Sequence, residues 1–352
     1  MKLVDISDLK SIIGRLGLEE FTRRVVDTLE KDFARWNSFK KSARHATQYA
    51  NGVIELMPCS DHRHYAFKYV NGHPVNPLNG KLSVVALGML TDVASGYPLL
   101  VSEMTLLTAF RTAGTAALAA KYLAKPDSEI LTLVGTGAQA EFQVNALLDL
   151  FPLRTVRFHD PDIRAMDRFE SYLHANCPIM AERCGNVAEA VSNADIVVTA
   201  TANRSRTRLF GLESIQPGVH INALGGDCPG KTEIDPQLVR KSKVVVEFLA
   251  QSRVEGEIQN LDNPVIHGEL WELVGGHKCG RETEHEITMF DSVGFALEDF
   301  SILKLIFDLA IELDVGTDID LIPQPDDPKN LFGVLEMPNR AETNSAININ
   351  VR

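Results

Sequence analysis

The sequence predicts an α/β protein in which a doubly wound parallel sheet is joined to a second, discontinuous α+β domain. Three features carry this expectation: strand and helix signals alternate from about residue 130 onward, hairpin punctuation fills residues 52–100, and the chain is long enough for two cores. At 352 residues with 45% apolar content it can bury a large interior, and no repeat or low-complexity segment interrupts it.

Residues 7–36 read as helices with acidic and basic faces. Apolar runs between 52 and 100 are broken by N-G at 51–52 and 71–72, by H-P and N-P, and by S-G-Y-P, the marks of an antiparallel sheet. A helix of small residues is predicted from Glu103 to Ala124, ending before Pro126. Strands follow at 130–134, 154–159, 195–199, 219–223, 243–247 and 287–290, with helices to 150 and at 163–176 and 186–193. Such alternation predicts parallel strands linked by crossovers. The helix expected at 294–313 sets Phe295, Leu297, Phe300, Leu303, Leu305 and Ile306 on or near one broad apolar face and returns the chain to the first domain. The tail beyond Pro323, rich in Pro, Asp and Asn, is expected to be partly irregular or to lie across a neighbour.

The most informative segment is I-L-T-L-V-G-T-G-A-Q-A at 130–140, where an apolar strand stops at Gly135 and a helix opens. Gly135 permits the tight turn, Gly137 lets the backbone approach a pyrophosphate, and Ala140 allows close helix–strand packing, while the helix N-terminus attracts phosphate charge. The next strand, R-T-V-R-F-H-D, ends at Asp160, at the spacing of a carboxylate that hydrogen-bonds the adenosine ribose. These residues predict a Rossmann unit holding a dinucleotide. Asp160, followed by Pro161 and Asp162 with no Arg before Arg164, favours NAD over NADP, since a 2′-phosphate would meet negative charge.

A net charge of −12 with scattered Lys and Arg argues against nucleic acid or an anionic membrane as partner. The N-terminal ten residues lack the apolar core of a signal peptide and no apolar run approaches a membrane span, so a cytoplasmic location is expected. Cys59, Cys177, Cys184, Cys228 and Cys279 form no C-x-x-C pair, and the ten histidines form no H-E-x-x-H, so no metal site is expected. His62, Arg63 and His64 read as an exposed turn.

G-G-D-C-P-G-K-T-E at 225–233 directly follows the strand V-H-I-N-A, at the carboxyl edge where ligands bind in such sheets. Asp227 there can act as general acid or base toward an amine if partial burial raises its pKa toward neutrality. The alternative is that Asp227 caps a turn and Lys231 is a solvated loop charge. In the first domain Arg44, Lys68 and Arg111 lie in K-S-A-R-H, A-F-K-Y-V and A-F-R-T-A-G-T-A-A. An Arg fork matches a carboxylate bidentately and a Lys adds a point charge, so together they suit an amino acid's α-carboxylate; structural salt bridges are the alternative. Glu55, inside V-I-E-L-M-P, either receives a substrate ammonium or lies on the outer face of a half-buried strand.

Together with S-G-Y-P at 95–98, G-T-G-A-Q at 135–139, R-V-E-G-E-I-Q at 253–259 and D-S-V-G-F-A-L-E-D at 291–299, these segments make nearly the whole chain resemble the ornithine cyclodeaminase/μ-crystallin family. The D-C-P-G-K-T-E form is similar to the bacterial cyclodeaminase branch. The resemblance implies a homodimer in which 1–120 and 318–352 form a substrate-binding and dimerisation domain and 121–317 an NAD-binding Rossmann domain. It implies that Arg44, Lys68 and Arg111 hold the substrate carboxylate, that Asp227 is the catalytic acid/base, and that Val293 touches the substrate, with Glu55 a further contact. Ser83, Arg111, Ala138, Gln139, Asp160, Thr201, Asn222, Ala223, Leu224, Lys231 and Ser292 would line NAD, beside Gly135 and Gly137; Ser83 stands where Thr is common. The implied reaction turns L-ornithine into L-proline and ammonia. A ketimine reductase or amino acid dehydrogenase of the same family, and a non-catalytic NAD(P)H-binding protein of μ-crystallin type, are the alternatives.

Overall fold

The computed structural model describes residues 1–202 and 206–335. The chain opens with β1 (Lys2–Val4), α1 (Ile6–Leu16) and α2 (Leu18–Ala34). Asp5 starts α1 with a capping box, accepting from the Ser7 and Asp8 amides while Asp8 accepts from its own. Next come β2 (Lys40–Lys41), β3 (His45–Tyr49), β4 (Gly52–Ser60), β5 (His64–Gly72), β6 (Val84–Asp92), β7 (Pro98–Glu103) and α3 (Thr105–Leu123). The second unit runs β8 (Ile130–Val134), α4 (Ala140–Leu148), β9 (Thr155–His159), α5 (Ile163–Asn176), β10 (Met180–Arg183), α6 (Val187–Val191), β11 (Ile196–Thr199), β12 (Arg206–Phe210), β13 (His220–Ala223) and β14 (Thr232–Ile234). It continues with α7 (Pro236–Lys241), β15 (Lys243–Val246), α8 (Leu249–Glu255), β16 (Gly268–Glu269), α9 (Leu270–Val274) and β17 (Thr288–Asp291), after which α10 (Ala296–Glu312) and β18 (Thr317–Asp318) follow.

The first sheet is mixed, in the order β18-β1-β7-β6-β5-β4-β2, with β3 also on β4. The second is wholly parallel, β10-β9-β8-β11-β13-β17-β15-β16, so strand order reverses between β8 and β11, and ligands bind at such a switch point. A separate parallel pair, β12–β14, receives the chain as it leaves the 225–233 turn. No helix among the described residues is long and apolar enough to cross a membrane.

Two helices join the units. α3 is buried almost all round because Ala113, Gly114, Ala116, Ala117 and Ala120 let its neighbours approach closely; a Cβ on Gly114 would sit 2.9 Å from Leu29 of α2. α10 packs on α2, α3 and the inner faces of β4, β5 and β6. The second passage between units therefore falls in the short segment between β17 and α10, not near 317, because the apolar face of α10 completes the core of the first sheet. The part of the tail at 336–352 lies outside the described residues.

One N-G pair does not turn the chain. Asn51 stands in the two-residue connection of the β3–β4 hairpin, but Asn71 and Gly72 are still paired with Val85 and Val84 at the end of β5. The Asn71 side chain accepts from the Val85 amide, so its hydrogen-bonding capacity serves the ladder. β10, β12, β14 and β16 escape sequence reading because each is short and carries a charged residue, as in M-A-E-R and R-T-R-L-F, so no apolar run marks it.

Phe300 of α10 is fully buried and meets Phe39 edge to face with centroids 5.1 Å apart. Phe300→Ala is expected to cost about 3–5 kcal/mol, read as a lower urea midpoint with unchanged secondary structure after refolding. A loss below about 1 kcal/mol would show that α10 does not hold the first domain's core.

Candidate active site

Strand alternation sorts the first sheet's residues to two faces. On β5, Ala66, Lys68 and Val70 turn inward while Tyr65, Phe67 and Tyr69 turn outward, the reverse of what an ordinary half-buried strand does. On β4 the inward set is Glu55, Met57 and Cys59, so Glu55 is not on the solvent face. Lys68 lies beneath α10, where its ammonium donates to Asp299 at 2.8 Å. Arg111, in the second turn of α3, donates from Nε to the same Asp299 oxygen at 3.1 Å and from Nη1 to Glu298 at 2.7 Å. Arg44 precedes β3 and completes the cluster. Its Nη1 donates to both oxygens of Glu55, and its Nη2 to the carbonyls of Val293 and Gly294 at 2.6 and 2.7 Å. All three cations are thus brought together, each already facing protein carboxylates.

Burial and the neighbouring Arg111 charge push the Lys68 ammonium down to about 8, while Asp299 opposes the fall. Burial raises the carboxyls of Glu298 and Glu247 against the pull of Arg111. Glu247, just beyond β15, accepts from Ser292 Oγ at 2.6 Å and from the amides of Val293 and Gly294. The linking segment that carries Ser292 and Val293 is therefore clamped between Glu247 and Arg44.

The dinucleotide side forms at the β8–α4 turn. Gly135 has φ +98°, and a Cβ there would approach the Ala200 carbonyl to 2.7 Å; at Gly137 a Cβ would meet nothing within 4 Å. That open approach, with Ala138 exposed and Gln139 preceding α4, fits a pyrophosphate lying over the turn. Asp160 follows β9 and takes the Thr136 amide at 2.7 Å and the Asp162 amide at 2.8 Å, which fixes its carboxylate beside the glycine turn as a ribose acceptor requires. Arg168 of α5 also reaches this turn, donating to the Thr136 carbonyl. Ser83 is half-buried before β6; its carbonyl accepts from the His73 amide, and no hydrogen bond among the described residues joins it to the other site residues.

Asn222 departs from expectation. Its amide donates to the Ala116 carbonyl of α3 and its oxygen meets His220, so the side chain is used in the core, while its backbone lies within β13 between β11 and β17. Ala223 is buried in β13, and Leu224 bonds through its amide to the Thr199 carbonyl. Asp227 also differs from its expected setting. Its side chain is 53% exposed and ion-paired with Lys231 at 3.0 Å, so partial burial is not what prepares it. Lys231 is the buried partner: its ammonium bridges Asp227 and the Thr201 carbonyl, each at 3.0 Å, and is no solvated loop charge.

Several residues here gave no individual signal in the sequence. Thr201 bonds through its hydroxyl to buried Glu233. Glu257 accepts from the amides of Glu233 and Ile234, and Asp291 from those of Glu257 and Ile258. Gln259 accepts from the Gly230 amide and donates to the carbonyls of Cys228 and Lys231, pinning the turn that bears Asp227. Adjacent acids at 298–299 in the first turn of a largely apolar helix, and two acids flanking Gly256, were the available clues.

The parallel sheet with its ligand edge at the β8–β11 reversal, facing a basic cluster on an α+β domain, defines a two-domain dinucleotide-binding enzyme fold. The chain belongs to the ornithine cyclodeaminase/mu-crystallin family, whose model matches residues 11–313. It is 46% identical over 334 residues to an ornithine cyclodeaminase of Agrobacterium fabrum, a match covering 94% of each chain. Among solved structures, an archaeal alanine dehydrogenase dimer with bound NAD is 31% identical with a TM-score of 0.84, over 92% of this chain and 99% of that one. A lysine cyclodeaminase, described in terms of its recognition of L-lysine, L-ornithine and L-2,4-diaminobutyric acid, is 28% identical with a TM-score of 0.88, over 94% and 98%.

The buried acids make stability depend on pH. Burial and the Asp291 charge lift Glu257 to about 8; burial lifts Asp291 and Glu255 to about 7. These groups keep protons when folded that they release when unfolded, so stability falls as pH rises toward 8. Buried His220, pushed down to about 3 by burial, acts in the opposite sense, but only below about 6.5. The melting temperature of ligand-free protein is expected to fall between about pH 6.5 and 8, and Glu257→Gln to flatten that slope; a rise over this window would refute the assignment.

Proposed function

We propose that this chain is an NAD-dependent ornithine cyclodeaminase, forming L-proline and ammonia from L-ornithine. The observation that carries the reading is the buried cation cluster of Arg44, Lys68 and Arg111, in which Arg44 meets Glu55 and Glu255, and Glu255 in turn feels the charge of Asp227. Carboxylate recognition at one end and acids toward the other suit a diamino acid. The 46% identity to a cyclodeaminase supports the same reading.

Gly135, Gly137 and Asp160 would hold NAD at the glycine turn, with Ala138, Gln139, Thr201, Leu224, Lys231 and Ser292 along its length. When bound, NAD⁺ supplies the hydride acceptor that converts the substrate's Cα amine to an imine and the hydride that reduces the cyclised product. Arg44, Lys68 and Arg111 fix the α-carboxylate and so orient Cα, while Val293 closes on the side chain. The δ-amine must lose a proton before it attacks Cα, and the expelled amine must gain one to leave as ammonia. Asp227 serves both steps, its exposed oxygen reaching substrate while Lys231 steadies the other. Holding the δ-amine near Cα makes ring closure intramolecular, an advantage of roughly 7–11 kcal/mol in well-oriented cases.

The outward face of the first sheet supports a homodimer. Leu56, Tyr69 and Leu87 form one cross-strand row and Pro58, Phe67 and Met89 another, and α10 covers only the opposite face. Leu56, Tyr65 and Leu87 are exposed, an apolar surface that a second copy would bury.

Incubation with L-ornithine and substoichiometric NAD⁺ is expected to give proline and ammonia in equal amounts, far above the NAD⁺ supplied and without net NADH. Accumulating NADH would move the protein to the dehydrogenase branch. Asp227→Asn is expected to keep NAD binding and lose at least about a hundredfold in turnover. Wild-type rates in that variant would remove Asp227 from the chemistry. Asp160→Ala should weaken NAD far more than ornithine, and equal losses in both dissociation constants would count against its ribose role.

A further inference from the structure

Glu255 ends α8 within R-V-E-G-E-I-Q, and the two polar residues that follow it there, Glu257 and Gln259, have visible structural duties. Glu255 has no such duty in its side chain. Its carboxylate is buried, and its Oε2 meets only Nε of Arg44, an ion pair at 3.2 Å that lacks hydrogen-bond geometry. Arg44 cannot turn to it fully, because Nη1 is held by Glu55 and Nη2 by the Val293 and Gly294 carbonyls. A buried carboxylate left this way is costly unless a further cation meets it.

The surroundings specify that cation. Glu55 and Asp227 both bear electrostatically on Glu255, and the three acids come from β4, α8 and the turn after β13. A ligand whose carboxylate is taken by Lys68, Arg111 and Arg44 has these acids on the side of Arg44 and so meets negative charge beyond its Cα. We propose that Glu255 is the specificity-determining residue of the cleft, its carboxylate receiving the ammonium at the far end of a diamino acid side chain. An apolar side chain of the same length leaves Glu255 with only that poorly aligned contact to Arg44, which is how buried polar groups reject analogues that lack the matching group. The inference rests on the cyclodeaminase reading and adds to it the residue that selects the second amine.

The test compares L-ornithine with L-norvaline, the same five-carbon chain without the distal amine, by calorimetric titration of protein loaded with NADH at about pH 8. NADH leaves no hydride acceptor, so ornithine binds without turnover. Wild type is expected to prefer ornithine, and Glu255→Gln to reduce that preference tenfold or more with NADH affinity unchanged. Glu255→Asp, which keeps the charge on a shorter stem, should retain part of the preference and decides the matter if the Gln variant does not bind NADH. A Gln variant with the wild-type preference overturns the role of Glu255 while leaving the cyclodeaminase reading intact. Wild type that binds both ligands equally overturns the diamino acid reading and this inference with it.

Discussion

Burying charge is the constraint on which the rest of this structure depends. Glu233, Glu247, Glu257, Asp291, Glu298 and Asp299 are all withdrawn from water around the cleft. An isolated carboxylate in such a place is prohibitive, so each is met by amides, hydroxyls or one of the cations. The backbone is shaped accordingly. A Cβ on Gly225 would fall 1.8 Å from the Glu233 carboxylate, and one on Gly256 would fall 2.3 Å from that of Asp291. Only a bare backbone leaves room for these carboxylates, Glu233 at the Thr201 hydroxyl and Asp291 at the amides of Glu257 and Ile258.

The same charges tie the two domains together. Arg44 comes from the first sheet's domain, yet two of its donors go to the segment leaving β17. Glu247 comes from the parallel sheet and takes the amides of that same segment from the other side. Asp299 and Glu298 enter on α10, immediately after the crossing, and fix Arg111 and Lys68. The place where the chain passes between domains thus also anchors the cation cluster, and the geometry of one cannot change without the other.

Much of this was legible in the sequence because it rests on local rules. The glycine turn at Gly135, the carboxylate at Asp160 and the period of the long helices depend on neighbours in the chain, and the cations Arg44, Lys68 and Arg111 stood out against small or apolar neighbours. What stayed hidden depends on tertiary placement. Asn222 looks like a polar residue at a ligand edge, but strand alternation turns its amide into α3. Glu55 was open between two faces until pairing with β5 fixed its register. Lys231 reads as a loop charge, and only the fold buries it between Thr201 and Asp227. The acids at 298–299 were visible, but their partners lie nearly 190 and 230 residues earlier, and no short-range pattern links them.

β5 carries aromatic rings on one side and a lysine on the other, and this has an evolutionary consequence. A shift of one residue in its pairing would exchange the two faces, sending Lys68 outward and an aromatic ring into the cleft. Insertions or deletions along this strand would therefore damage chemistry and assembly in a single event. Sequence drift in descendants of this chain should accordingly preserve the parity of the strand more strictly than the identity of any one outward side chain.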